Sequence, residues 1–146
     1  MASTPQQWTV QLAQTHAPCP QIFLQRPLPE HSWYSVVVVD VAKFMACVRN
    51  GNQLRIPEIQ LWSDDKRERL CSHLDPAGGD EPVMPRTSIE EVQIKRWYGL
   101  RPPSIHAVVS FTNGRHRSAY MEFAGAKRMP VEVLTDQVDL FVKHCT

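Results

Sequence analysis

The chain has 146 residues, and its 16 Lys and Arg nearly balance 15 Asp and Glu, giving a net charge of +1. This length suits one domain that buries a single core, and the balanced charge argues against a surface devoted as a whole to nucleic acid. The four cysteines show no C-x-x-C spacing, and no apolar run approaches the roughly 20 residues of a membrane span. Together with the lack of a signal peptide pattern, this predicts a reduced, cytoplasmic protein in which any anion site is local.

The first half of the chain divides into an arm and a domain. Residues 1–30 are rich in Gln, Thr and Pro and predict a loosely ordered N-terminal arm, so the domain is expected over residues 31–146. Within the domain, Trp33 to Val39 is an aromatic and β-branched run that predicts a strand buried on both faces. Asp40 is placed to cap a helix, and Ser63 to cap a second one, before a loop over residues 75–85.

The second half is predicted to alternate helices and strands. Thr87 to Glu90 reads as a capping box, so a helix is expected from Thr87 to about Gly99. The β-branched run of residues 104–111 predicts a strand, and the apolar segment that begins at Pro130 predicts another. A helix that Gly125 ends is expected between them, and a last helix is expected to follow Thr135.

The stretch "TNGRHRS" joins the strand of residues 104–111 to the helix that follows, and it has the chemistry of an anion site. A turn before a helix start exposes backbone N–H groups at the positive end of the helix dipole. Glycine permits close approach of a ligand, arginines bind oxyanions in a bidentate manner, and histidine moves protons near neutral pH. The candidate phosphate ligands are Asn113, Gly114, Arg115, His116, Arg117 and Ser118. A basic surface turn that faces water is the alternative that spacing alone leaves open.

The longer segment "GLRPPSIHAVVSFTNGRHRSAYMEFAGAKRMPVEV", residues 99–133, resembles the core of the ParB/sulfiredoxin superfamily. The resemblance implies an α+β fold, a single compact domain with a small mixed sheet and packed helices. It also implies that Gly114, His116 and Arg117 contact a nucleotide phosphate, with His116 and Arg117 as candidate catalytic residues. Arg86 matches a basic residue that sulfiredoxins place before their preceding helix.

Two departures limit what this resemblance implies. Sulfiredoxin chemistry needs a thiolate nucleophile between the glycine and the histidine, and this chain has Arg115 there. ParB proteins carry a second Glu-Asn-x-x-Arg motif and a helix-turn-helix domain, and neither follows this core. Sulfiredoxin activity and centromere binding are therefore not expected.

The upstream segment "WYSVVVVDVAKFMACV", residues 33–48, together with this turn looks like the Osa-type plasmid fertility-inhibition factors. That resemblance implies suppression of conjugative DNA transfer, with DNA or a nucleotide such as ATP or CTP with Mg²⁺ as the phosphate ligand. DNase or nucleotide hydrolase activity is left open, because no carboxylate can be assigned as general base. The alternative is a non-catalytic adaptor that blocks the coupling ATPase of a conjugation system.

The other candidate sites in the sequence have weaker signals. The histidines and cysteines have no metal-ligand spacing, so no metal site is predicted. Glu91 is the best-placed carboxylate, but a solvated helix residue is the more common role for such a position. Trp97 and Tyr98 could stack on bases beside Arg96 and Arg101, although a buried helix end is favoured, and Lys127-Arg128 extends the positive charge of the segment.

Overall fold

A computed structural model of the chain describes residues 6–13, 19–51 and 59–146. Strands β3, β6, β4 and β5 form, in that order, one mixed sheet in which β4 and β6 run parallel, and β1 and β2 form an antiparallel pair. This arrangement confirms the predicted α+β fold and single compact domain. The elements in chain order are β1 (Gln7–Gln11), β2 (Gln21–Gln25), β3 (Tyr34–Asp40), α1 (Val41–Arg49), α2 (Asp64–Leu74), β4 (Arg86–Arg96), β5 (Arg101–Asn113), α3 (Arg115–Phe123), β6 (Arg128–Leu134) and α4 (Val138–Cys145).

Elements with strong local signals form as predicted. The Asp40 side chain accepts from the Lys43 N–H at 3.0 Å and caps α1, and Ser63 caps α2 in the same way. Strand β3 is not buried on both faces, because it lies at the edge of the sheet and leaves Val38 44% exposed. The central strand β6 is the one with consecutive buried residues, from Met129 to Val133.

The helix predicted from Thr87 is wrong, since residues 86–96 form β4. Thr87 does not cap a helix; it lies opposite Phe111 of β5 and Val133 of β6. The β-branched residues of this segment suit a strand, and its pairing with β5 runs from Arg86 to Arg96. Long-range strand pairing therefore overrides a local capping pattern.

The N-terminal arm also differs from the loose segment that the sequence predicts. Ile22 and Leu24 of β2 are fully buried, and the N–H of Ala13 donates to the carbonyl of Ala124 at 2.8 Å. A Cβ on Gly125 would lie 2.4 Å from the Cβ of Ala13, so the arm packs directly on the junction after α3. The described part of the arm is thus attached by a strand pair and by the core.

The core lies between the sheet, α1 and α4. Phe44 of α1 and Phe141 of α4 are completely buried, and Phe44 meets Phe111 of β5 edge-on at a centroid distance of 5.8 Å. Within the described ranges, no helix is long and apolar enough to cross a membrane. The same core fixes the direction of β5 and α3, and it thereby fixes the turn that joins them.

Candidate functional site

The turn between β5 and α3 has the backbone geometry of an uncapped helix start. Gly114 is the N-cap residue, with a left-handed φ of 81°, and as a glycine it supplies no side-chain cap. The N–H of Ser118 donates to the carbonyl of Gly114 at 2.9 Å, which closes the first turn. The N–H groups of Arg115, His116 and Arg117 precede that bond and have no acceptor within the helix. The positive end of α3 is therefore formed by these three residues.

Pro85 makes the close approach to Gly114. A Cβ on Gly114 would lie 2.7 Å from the Cα of Pro85 and 2.8 Å from its Cβ. Pro85 is buried and comes directly before β4. Glycine is thus required here by its φ angle and by the packing of Pro85, and the space that the sequence assigns to a ligand at Gly114 is filled on this side.

Asn113 and Ser118 hold the junction together. The Oδ1 of Asn113 accepts from the backbone N–H of Arg86 at 2.9 Å, which ties the end of β5 to the start of β4. The Ser118 hydroxyl is fully buried and donates to the carbonyl of Gly114 at 2.9 Å. Both predicted phosphate ligands already have hydrogen-bond partners within the protein.

The Arg86 side chain binds a buried carboxylate. Its Nε and Nη2 donate to Oε1 of Glu132 at 2.7 and 2.6 Å, and Nε of Arg26 donates to Oε2 of the same residue at 3.0 Å. Arg86 also lies over the Tyr34 ring at 4.2 Å. Glu132 is 1% exposed, so the two guanidinium groups compensate its burial. Arg86 thus lies next to Asn113, beside the turn, but its guanidinium is paired with Glu132.

His116 and Arg117 are the half-buried polar residues at the start of α3. His116 meets the Trp62 ring edge-on at 5.4 Å, and burial, followed by the charges of Lys66 and Arg115, lowers the pKa of its imidazole. Burial likewise lowers the pKa of the Arg117 guanidinium. Throughout residues 6–13, 19–51 and 59–146, Arg117 makes no hydrogen bond and no ion pair. An arginine in such a place lacks the anion that would compensate its desolvation.

The carboxylates of Glu91, the best-placed candidate base, and of Glu122 on α3 are engaged elsewhere. Glu91 accepts from Lys143 at 2.8 Å and contacts His144 at 2.7 Å, and these two groups lower the pKa of its carboxyl. Glu122 pairs with Arg49 of α1. Among the residues that the structure describes, no group of three or more His, Cys, Asp and Glu is placed to hold a metal ion. The site as described is cationic, without an adjoining free acid.

The aromatic residues near Gly99 lie away from this site. Trp97 is 65% and Tyr98 fully exposed at the turn between β4 and β5, so the favoured interpretation as a buried helix end is wrong. Arg101 lies over the Trp97 ring at 5.1 Å. Lys127 and Arg128 are exposed beyond the far end of α3, a helix of about 13 Å. The predicted cationic residues therefore form three separate surfaces.

The fold and the site together define a small α+β protein with one mixed sheet, a separate antiparallel pair formed by β1 and β2, and a cationic helix start. The model of the family described as "Plasmid Fertility inhibition factor" matches residues 36–146, and the chain therefore belongs to the plasmid fertility inhibition factors. This confirms the resemblance found in residues 33–48. The likeness to ParB and sulfiredoxin proteins stays a prediction.

A solved structure supports the fold. The chain is similar to the crystal structure of Oncogenic Suppression Activity Protein, a plasmid fertility inhibition factor, determined as a gold(I) cyanide derivative. The TM-score is 0.66 at 19% identity, over 97% of this chain and 74% of the other. No curated protein sequence matches. At this identity the structural similarity shows a shared fold.

Proposed function

We propose that the protein suppresses conjugative DNA transfer and that it binds a phosphate group at the start of α3, through Arg115, His116 and Arg117. Family membership supports the first part. The observation that carries the second is Arg117, which is half-buried and has no anionic partner in the described chain. A phosphate oxygen would replace the hydration that burial removes from this guanidinium.

Each residue has a distinct part in this proposal. The backbone N–H groups at the helix start and the dipole attract the anion, and Arg117 donates to two of its oxygens. His116, neutral at pH 7 because its pKa is lowered, donates one hydrogen bond and gains a proton as phosphate binds. Asn113, Gly114 and Ser118 hold the turn in shape, and Arg86 is left out because Glu132 occupies it.

The ligand class is a nucleotide, ATP or CTP with Mg²⁺, or the backbone of DNA. Catalytic roles for His116 and Arg117 in hydrolysis stay predictions. Hydrolysis also needs a base or a metal carboxylate, and Glu91 and Glu122 are held in ion pairs. We therefore separate binding from hydrolysis in the test.

Calorimetric titration of the full chain with ATP, CTP and a short single-stranded DNA, each with and without Mg²⁺, tests the proposal. Arg117→Met keeps the aliphatic packing and removes the charge, and we expect it to weaken binding by about tenfold or more. Arg69→Met, at an exposed position of α2, is the matched control and should bind as the wild type does. Equal binding by the Arg117→Met protein, or no binding by the wild type, would contradict the proposal. Product release measured in parallel shows whether hydrolysis follows.

A second candidate function is an adaptor that blocks the coupling ATPase of a conjugation system. The observation in its favour is the exposed turn of the β4–β5 ribbon, with Trp97, Tyr98 and Leu100 in solvent. The two candidates differ in the effect of Arg117→Met on transfer. An adaptor keeps the transfer block with this variant and loses it when the ribbon is changed.

A further inference from the structure

The strands β4 and β5 continue beyond the sheet as a two-stranded ribbon. Strand β4 pairs with β5 along its whole length, but it pairs with β6 at Arg86 and Thr87 alone. From Ser88 onward β5 is therefore its one neighbour among the strands that the structure describes. Residues 90–103 are all exposed, in contrast to the buried Ile89 and Val109 at the base of the ribbon. The ribbon therefore projects from the domain and contributes little to its core.

The projecting part is the most apolar exposed region of the described chain. It carries six of the eleven large hydrophobic side chains that are exposed, and Tyr98 and Leu100 are 105% and 85% accessible. Tryptophan, tyrosine and arginine are the residues that most often dominate binding at protein interfaces. The six residues are Val92, Ile94, Trp97, Tyr98, Leu100 and Ile105.

Beyond Glu90 and Glu91 at its base, the charge of the ribbon has one sign. Residues 92–106 contain Lys95, Arg96 and Arg101 and no Asp or Glu. Arg96 and Arg101 are directly opposite each other across the strands, an arrangement in which like charges repel. An acidic group on a partner would remove this repulsion, so the ribbon is complementary to an anionic surface.

The backbone at the tip turns the aromatic side chains outward. Trp97 and Tyr98 both have a φ of 52°, in the left-handed region that residues with a side chain rarely adopt, and Gly99 follows at 87°. Among the described residues, the partner of Trp97 is Arg101, and Tyr98 is fully exposed. Strained backbone of this kind is concentrated where a protein binds something else.

We propose that this ribbon tip, residues 95–101, docks into an apolar pocket bordered by carboxylates on a protein of the DNA transfer machinery. The proposal rests on the proposed suppression of conjugative transfer and concerns a surface separate from the phosphate site. The exposed aliphatic residues, Ile94, Leu100 and Ile105, favour a protein pocket, because interfaces with DNA are polar and strongly positive. Pro102 and Pro103 remove two backbone donors beside the tip, so side chains rather than strand addition make the contact.

A second copy of the chain is a poorer partner for the same tip. Six of the twelve acidic residues that the structure describes outside the ribbon are already paired with the protein's own cations or with a histidine. These pairs are Glu30 with Arg26, Glu132 with Arg26 and Arg86, Glu122 with Arg49, Asp64 with Arg67, Asp65 with Arg69, and Asp80 with His73. At each of these six carboxylates, a second copy would have to break an existing pair to receive the basic tip.

Photo-crosslinking in donor cells tests the proposal. A benzophenone amino acid replaces Tyr98, which is fully exposed, and in a matched control it replaces Leu61, an exposed apolar residue of another surface. We expect a crosslink to one transfer protein from position 98 and none from position 61. In that background, Arg96→Glu with Arg101→Glu should reduce the crosslink by about tenfold or more, whereas Lys at both positions should retain it.

The same charge-reversed protein, without the crosslinker, should fold normally by circular dichroism and lose the transfer block. Arg117→Met should retain the crosslink, which keeps the ribbon separate from the phosphate site. A crosslink to DNA alone, one to a second copy alone, or a protein crosslink that survives charge reversal would overturn the proposal. A transfer block that persists with the reversed tip would overturn it while leaving the inhibitory function intact. Absence of any block by the wild type would instead contradict the function itself.

Discussion

Arg86 and Glu132 form a buried ion pair in which Nε and Nη2 of the arginine donate to one carboxylate oxygen at 2.7 and 2.6 Å. The second oxygen accepts from Arg26 at 3.0 Å. The three residues come from the segment after β2, from β4 and from β6, so the pair fastens the N-terminal arm to the sheet. An arginine that resemblance assigns to phosphate is therefore part of the fold's own electrostatic structure.

Loss of the Glu132 charge should destabilise the protein strongly. Glu132→Gln leaves the largely buried Arg86 guanidinium without an anion and Arg26 with only the half-exposed Glu30, and we expect a loss of about 3–5 kcal/mol in the free energy of unfolding. Urea denaturation measures it. Glu30→Gln is the matched control, because Glu30 also pairs with Arg26 but is half exposed, and it should cost less than about 1 kcal/mol. Equal losses for the two variants would show that burial of Glu132 is not what makes the pair important.

Substitution of Gly114 should cost more than substitution of an equally left-handed glycine elsewhere. Gly79 has a φ of 76° with open space around it, so Gly79→Ala measures the backbone term alone, about 1–2 kcal/mol. Gly114→Ala adds the collision with Pro85, and we expect a further loss of about 1–3 kcal/mol, which is the usual cost of overpacking. Thermal unfolding of both variants gives the difference. Equal destabilisation would mean that Pro85 moves away without cost.

Thr87 offers a test of strand against helix. Its side chain is 2% exposed, and its hydroxyl has no hydrogen-bond partner in the described chain. Thr87→Val removes the unsatisfied hydroxyl and keeps a β-branched strand residue, so we expect a gain of about 1 kcal/mol or more. Ser63→Ala, which removes a real helix cap, should lose about 1 kcal/mol. A loss at Thr87 of the same size would instead indicate a capping hydroxyl.

The titration of His116 should respond to phosphate. Burial and the charges of Lys66 and Arg115 lower its pKa, so the free protein should show an NMR inflection below the ordinary value of about 6.5. The unfolded state, with the ordinary pKa, binds the proton more tightly than the folded state does. As the pH falls from about 6.5 to the pKa of the folded protein, protonation of His116 therefore favours unfolding and lowers the free energy of unfolding, and below the folded pKa this loss is complete. Bound phosphate should raise the pKa, and Lys66→Met should raise it in the free protein. An inflection that phosphate does not move would place the anion elsewhere.

The sequence predicted correctly those elements whose ends are set by residues close to one another in the chain. Asp40, Ser63 and Gly125 mark helix ends by interactions within a few residues, and the structure has those ends where the sequence placed them. The strand, turn, helix and strand around Gly114 were predicted for the same reason. The positive helix start could therefore be found from the sequence.

The errors come from contacts between distant parts of the chain. The apparent capping box at Thr87 lies in a strand because β5, which begins at Arg101, pairs along it. The arm is held by β1–β2 pairing and by Ala13 on Gly125, neither of which has a local pattern. The ion pair of Arg86 with Glu132 joins residues 46 positions apart, and no spacing rule links them. In each of these three places, the structure is set by contacts between residues that are far apart in the sequence.

The frequency of conjugative transfer from donor cells that produce the Arg117→Met protein tests the central claim most directly, provided the variant folds as the wild type does. If phosphate binding at the start of α3 underlies inhibition, transfer should return close to the level of donors without the protein, while Arg69→Met still blocks it. An undiminished block by Arg117→Met would contradict the account.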